Sequence, residues 1–227
     1  MRSYKLKGIA GWVLKRRGKA AFLASLKSGL KVLDVGCGND SPVRFKAVRP
    51  DLQYVGLDIQ DYNQSQSPSL VADGYLIATA EGFAAEIAKF PQQFDVIVSA
   101  HNLEHCNGPD AVLEAMVGAL RAGGRLYLSF PCEASVRFPS RRGGCLNFHD
   151  DGTHRVPPDF RKICDYLASR RIRIDFAASR YRPAVLFVLG LLLEPLSALM
   201  NRIMTAGTTW ALYGFESVIW ATKPTSE

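Results

Sequence analysis

Asp34, Gly36, Gly38 and Asp58 are the residues whose types and spacing most directly imply chemistry. In Lys31-Val-Leu-Asp-Val-Gly-Cys-Gly-Asn-Asp40 a short apolar run ends on an acid and passes into two glycines spaced by two. Glycine carries no Cβ, so such a turn lets the main chain come close to a ligand. The next apolar run, Gln53-Tyr-Val-Gly-Leu-Asp-Ile59, ends on a second acid, Asp58. An acid about twenty residues past a glycine turn, at the tip of the second strand, is placed to accept hydrogen bonds from ribose hydroxyls. The pair implies an adenosine-containing cofactor, with Gly36, Cys37 and Gly38 forming the turn and Asp58 and Ile59 the strand tip.

The order of residues narrows the cofactor. A dinucleotide turn reads G-x-G-x-x-G and faces a pyrophosphate. Here it reads D-x-G-x-G-x-D, with Asp40 two past Gly38 and no third glycine in place. A further carboxylate would repel a pyrophosphate and attract a sulfonium and its amino group. On these residues the chain resembles the class I S-adenosylmethionine-dependent methyltransferases. The resemblance extends to Phe94-Asp-Val-Ile-Val-Ser-Ala-His-Asn-Leu-Glu-His105 and to Leu120-Arg-Ala-Gly-Gly-Arg-Leu-Tyr-Leu-Ser-Phe-Pro131, and covers residues 28–131 well. It implies that S-adenosylmethionine is the cofactor and that Asp34, Gly36, Cys37, Gly38, Asp58, Ile59, Asp73 and Ser99 hold it.

Methyl transfer to a hydroxyl also needs a group to take the proton. All four histidines, His101, His105, His149 and His154, fall in two loops expected to face the cleft. His101 lies just past the fourth strand, where the resembled family touches donor and acceptor. His101, Glu104 and His105 spell H-x-x-E-H, a zinc-peptidase signature that needs both histidines on one helix. Here the motif follows a strand. Some small-molecule methyltransferases carry E-x-x-E-H at this position with a divalent metal, but His101 replaces the first glutamate, and no metal is assigned. Glu104 and His105 read as local structure, a helix-start acid and a histidine bonded to backbone. The second loop, Asn147-Phe-His-Asp-Asp-Gly-Thr-His-Arg-Val-Pro-Pro158, resembles the D-x-x-H-x-R segment of methyltransferases encoded with bacterial surface-polysaccharide genes. That resemblance makes His154 the general base, with Asp150 or Asp151 orienting it or binding sugar hydroxyls. Arg155 suits a phosphate or carboxylate.

These residues need a scaffold that brings strand ends together. The spacing predicts strands over about 31–35, 53–58, 69–73, 94–99, 125–130, 171–176 and 213–223. Helices are expected from a Ser41 cap with Pro42 in the first turn, and over 80–90, 109–121 and 158–169. Alternating strands and helices imply a mostly parallel sheet with ligands beyond the carboxyl ends of the strands. In the resembled family this is a Rossmann-like, doubly wound α/β fold of seven strands, the last antiparallel, with helices on both faces. One methyltransferase domain is expected over 1–227, with a basic helical extension at 1–27 and an apolar helical insertion at 183–206.

That insertion holds Ala184-Val-Leu-Phe-Val-Leu-Gly-Leu-Leu-Leu193, interrupted by Glu194-Pro195. The run is about half a membrane span. It reads either as a helix buried on the sheet or as one lying in a membrane interface. The charge favours an anionic partner: the chain is +7 overall, and nine basic residues precede Asp34 with no acid among them. Five cysteines without a C-x-x-C pair argue for a reducing compartment and against a structural zinc site. The first thirty residues lack a secretory signal pattern. The combined expectation is a cytoplasmic enzyme, peripheral on the inner face of the membrane through 184–204 and the basic N-terminus, that O-methylates a sugar, a lipid-linked glycan or another small molecule. The alternatives are an RNA methyltransferase and a non-catalytic S-adenosylmethionine-binding scaffold at the membrane.

Overall fold

The computed structural model describes residues 17–225. Its seven strands are β1 (Lys31–Val35), β2 (Gln53–Asp58), β3 (Gly74–Ile77), β4 (Phe94–Ala100), β5 (Leu120–Pro131), β6 (Arg173–Ala178) and β7 (Glu216–Thr222), in the spatial order β3-β2-β1-β4-β5-β7-β6. The neighbours from β3 to β5 are parallel, and β7 runs antiparallel between β5 and β6. The strand order reverses between β1 and β4, where an open α/β sheet binds its ligand.

Side chains alternate across a strand, and the alternation divides the interior into two cores. Leu33, Ile97, Leu126, Leu128 and Ile219 join Phe83, Met116 and Leu167 on one face. Those last three come from α4 (Phe83–Ala88), α5 (Pro109–Ala119) and α6 (Phe160–Ser169). Val32, Tyr54, Val98, Tyr127 and Trp220 join Phe22 and Phe45 on the other face, covered by α1 (Lys19–Ala24) and α2 (Ser41–Val48). Helix ends follow local chemistry: Pro109 starts α5 in its first turn, and the Asp159 side chain accepts from the Lys162 amide at 2.9 Å to cap α6.

Two expectations change. Residues 68–71 form a short helix, α3 (Pro68–Val71), and the third strand begins only at Gly74. Proline suits a first helical turn, and the run after it is too short to compete. Asp73 therefore lies at the amino end of β3, where its carboxylate accepts from the Tyr54 amide at 2.6 Å and pairs with Lys46 at 2.5 Å. Asp40, not Ser41, occupies the cap position of α2; the Ser41 hydroxyl is used elsewhere. The basic segment before residue 17, with Trp12, Val13 and Leu14, lies outside the described residues.

The apolar insertion is a helix, α7 (Ala184–Leu199), between β6 and β7, but it is not buried on the sheet. It packs on α8 (Thr208–Tyr213), where a Cβ on Gly190 would meet the Thr208 carbonyl at 2.5 Å. Arg141 grips Glu194 with both guanidinium nitrogens, at 2.6 and 3.0 Å, and Glu194 also accepts from the Tyr213 hydroxyl. The opposite side leaves Val188, Leu192, Leu196 and Leu199 exposed. Among the described residues no helix is long and apolar enough to cross a membrane.

Candidate active site

Two cavities meet beyond the carboxyl ends of β1, β2 and β4. The first, of about 840 Å³, is lined by Gly36, Gly38, Asp58, Ile59, Tyr62 and Phe83 among others. Gly36 has φ +78°, in the left-handed region, and a Cβ there would sit 2.5 Å from the Asn102 side chain. A Cβ on Gly38 would meet Tyr62 at 3.2 Å and the Asp58 carboxylate at 3.5 Å. The crevice is thus shaped by missing side chains, with the Asp58 carboxylate at its rim. Asn39 and Asp40 are again left-handed, which their short polar side chains tolerate. Gly36→Ala is expected to weaken cofactor binding about tenfold or more, since strain of roughly 1–2 kcal/mol adds to the Asn102 clash. Unchanged affinity in calorimetry would contradict this.

Asp58 fits a ribose. Its Oδ1 accepts from the Ile59 amide at 2.7 Å, leaving acceptor capacity toward the cavity. Burial pushes its pKa up, partly offset by the amides of Ile59 and Gly38.

The other acids and small residues expected at the cofactor do different work. Asp34 is fully buried behind the turn, bonded to the Ser41 hydroxyl at 2.5 Å, the Tyr54 hydroxyl at 2.8 Å and the Lys19 ammonium at 3.3 Å. A buried carboxylate requires such partners. They tie α1, β1, α2 and β2 together beneath the glycines, so Asp34 supports the crevice without lining it. The Cys37 side chain is buried in the core, its thiol pKa raised by burial, and only its backbone belongs to the turn. Asp40 accepts from the Ser65 amide at 2.5 Å and braces the 61–68 loop. Ser99 is buried and lines neither cavity, and Asp73 lies at the opposite, amino end of the parallel strands. Asn102 and Tyr62, which no sequence motif singles out, do line the crevice.

The second cavity, of about 870 Å³, lies against α1, α7 and α8, with Lys19 and Arg44 at one part of its wall and Pro183, Leu186, Trp210 and Phe215 at another. His101, His105, Asp151 and His154 line both cavities, so they form the partition where a donor and an acceptor would meet. His101 has φ +52° and is clamped. Its Nδ1 lies 3.2 Å from Glu104 and its Nε2 2.7 Å from Glu216. Burial alone would depress its pKa, but the two carboxylates outweigh that and push it up to about 10. His101 is therefore a bound imidazolium, which holds no free lone pair to take a proton.

His154 is arranged differently. Its Nδ1 lies 2.7 Å from the Phe148 carbonyl, which can only accept, so the neutral ring carries its lone pair on Nε2. Asp151 stands 3.9 Å from that nitrogen. Burial opposes ionisation of Asp151, but hydrogen bonds from Thr153 hold its pKa below the usual carboxylate value. Asp150 is spent on its own loop, accepting from the Leu146 and Asn147 amides at 3.1 and 2.9 Å, and it lines neither cavity. His149 is exposed and lines neither. Glu104 and His105 belong to the 3-10 turn Leu103–His105, which the Arg155 amide and guanidinium pin through the carbonyls of both residues. Glu104 is fully buried, and its Oε2 has no hydrogen-bond partner.

A seven-stranded sheet with this order, a glycine turn at the reversal and a second cavity across the partition define the Rossmann-like methyltransferase class. Residues 12–172 match the family model described as "Methyltransferase domain", and the chain belongs to that family. Gly36, Gly38 and Asp58 fit S-adenosylmethionine, the cofactor expected from the sequence, which would supply a methyl group on a positively charged sulfur. The chain is similar to the ubiquinone biosynthesis O-methyltransferase of Pseudomonas putida (strain W619), with 32% identity over 112 residues, 45% of this chain and 44% of the relative. It thus matches less than half the length of that relative. Its fold is similar to an S-adenosylmethionine-dependent methyltransferase from Mesorhizobium loti (15% identity, TM-score 0.58, covering 96% of this chain and 100% of that one). It is also similar to phosphoethanolamine N-methyltransferase 2 of Haemonchus contortus, solved with phosphomonomethylethanolamine and S-adenosylhomocysteine (15%, TM-score 0.56, covering 99% and 59%).

Proposed function

We propose that the protein methylates a hydroxyl oxygen of a small-molecule acceptor, with a sugar or lipid-linked glycan as the acceptor class, at the inner face of a membrane. One observation carries the O-methyl reading: the Nε2 lone pair of His154, fixed by the Phe148 carbonyl, belongs to a residue that lines both cavities. Gly36, Gly38 and Asp58 hold the cofactor, and the partition aligns the acceptor oxygen with its methyl group. His154 takes the hydroxyl proton, and Asp151 steadies the charge that results. The partial likeness to an O-methyltransferase supports the same chemistry. Labelled S-adenosylmethionine, incubated with sugar nucleotides, lipid-linked sugars and phenols, tests it by mass spectrometry. Methyl on oxygen is expected; transfer only to nitrogen or to RNA would overturn the reading.

The membrane part rests on α7. Pro183 and Leu186 line the acceptor cavity at the amino end of this helix, while Leu192 and Leu199 are 73% and 85% exposed farther along it. An apolar helix face beside basic residues adds apolar burial to attraction for anionic headgroups. In liposome flotation the protein is expected to rise with anionic vesicles, and a Leu192→Glu/Leu199→Glu variant to remain below. Wild-type protein that stays in the bottom fraction would contradict the placement.

A further inference from the structure

We propose that Arg180 and Arg182 form a phosphate seat at the mouth of the second cavity, and that it takes the phosphate ester of a lipid-borne acceptor. The two guanidinium groups converge on one atom: an Nη2 from each reaches the Tyr213 carbonyl oxygen, that of Arg182 at 3.5 Å. One arginine suffices to cap this last carbonyl of α8, so capping does not explain the second. Gly214 lets the two approach, with φ +61° and a Cβ there 2.9 Å from Arg182 Nε. Arg180 lies 5.3 Å from the centroid of the Phe138 ring and Arg182 5.4 Å from that of Phe187, so both forks are held in place before a ligand arrives. Among the described residues neither pairs with a carboxylate. The one acid in residues 179–215 is Glu194, which Arg141 grips. Partial burial and the charge of Arg180 push the Arg182 pKa down. Two cations thus share one neutral acceptor, and an anion between them removes their repulsion.

The chemistry of the pair selects the ligand. A carboxylate fills one guanidinium fork, whereas a phosphate has oxygens enough for two. The cations of residues 179–215 are all arginines, whose planar fork matches phosphate. The seat also adjoins the acceptor site. Tyr181 and Pro183, on either side of Arg182, line the second cavity, as does Phe215, the residue after Gly214. The Phe215 ring stacks on His101, with centroids 6.1 Å apart and planes 10° from parallel, so Gly214 and Phe215 join the seat to the partition. On the other side α7 begins at Ala184, and Val185, Val188 and Leu189 are exposed in its first two turns. A free phosphate or a sugar phosphate leaves these side chains in water, and a hydrocarbon chain covers them. The arrangement suits an acceptor with its hydroxyl in the cavity, its phosphate on the arginines and its apolar chain along α7.

The seat stands on this geometry alone. That its phosphate belongs to the acceptor rests on the O-methylation reading, so binding is measured apart from turnover. Dihexanoyl phosphatidic acid, kept below its micelle concentration, is titrated into the protein in a calorimeter, with inorganic phosphate and hexanoate titrated separately. One lipid per chain is expected, bound about tenfold or more tighter than either fragment. Arg180→Lys/Arg182→Lys keeps the charge and loses the forks, and should weaken lipid binding by about tenfold or more. Arg170→Lys, on an arginine paired with Glu114 instead, should leave it unchanged. Circular dichroism shows that each variant is folded, and the comparison of the three ligands needs no variant. No saturable binding by folded wild-type protein, or equal binding by the double lysine variant, overturns the seat. Inorganic phosphate bound as tightly as the lipid overturns the lipid assignment, and hexanoate bound as tightly overturns the phosphate. If the lipid phosphate binds and no hydroxyl is methylated, the seat stands and the O-methyl reading falls. If a hydroxyl is methylated and no lipid phosphate binds, the seat falls and the O-methyl reading stands.

Discussion

Replacing His154 with alanine is expected to lower methyl transfer by about 10²–10⁴-fold, roughly 3–5 kcal/mol of barrier, while S-adenosylmethionine still binds. In the proposed reaction this ring is the base of the partition. His101 is held as an imidazolium by Glu104 and Glu216, and exposed His149 lines neither cavity. The alanine removes the Nε2 lone pair and also the Nδ1 bond to Phe148. His149→Ala serves as the comparison, since it lies in the same loop and its turnover should not change. Turnover measured at saturating acceptor, with cofactor affinity measured separately, reads the effect. A His154→Ala enzyme as fast as wild type would remove this residue from the chemistry.

Asp58→Asn should move two quantities in opposite directions. Asparagine keeps the shape but loses the charge and one acceptor site, so cofactor affinity falls, by about tenfold or more for a lost charge-assisted bond. The fold without cofactor should become more stable. Burial raises the Asp58 pKa above its ordinary value. A carboxyl with a raised folded-state pKa favours folding when protonated. That contribution is complete below the unfolded pKa and is lost as pH climbs through the raised folded one. At neutral pH the ionised group therefore opposes folding, and its neutral replacement relieves that cost. By the same sign, acidification should weaken cofactor binding from a pH above the usual Asp range, because the protonated carboxyl is the poorer acceptor. Calorimetry across pH and thermal unfolding of both proteins check the pair. A variant that loses stability and keeps affinity would mean that Asp58 is structural.

What is legible in the sequence follows from how local each signal is. β1, β2 and β4 are continuous apolar runs ending at a turn, and their observed ranges differ little from those expected. The third strand is expected too early because Ser69-Leu-Val-Ala is short and follows a proline. That slip moves Asp73 from the ligand end of the sheet to the other. Asp34 is placed correctly along the chain, but a strand alternates its faces, and the partners that turn its carboxylate inward, Lys19, Tyr54 and Ser41, come from three other elements. Likewise, the spacing of His101 and Glu104 is readable, whereas Glu216 reaches His101 from β7, 115 residues away. Without it the charge on His101 cannot be foreseen. Glu104, which reads as a local helix-start acid, is fully buried with one free oxygen, a fact visible only once the 147–155 loop closes over it. The exposed face of α7 is also hidden, because an apolar run reads alike whether a sheet or nothing covers it.

The measurement that bears most directly on the proposed site is the crystal structure with S-adenosylhomocysteine bound. The ribose hydroxyls should lie on the Asp58 carboxylate, the amino-acid end over the Gly36–Gly38 turn, and the sulfur toward the partition of His105 and His154. A nucleoside bound away from Asp58, or a sulfur turned from that partition, would contradict it.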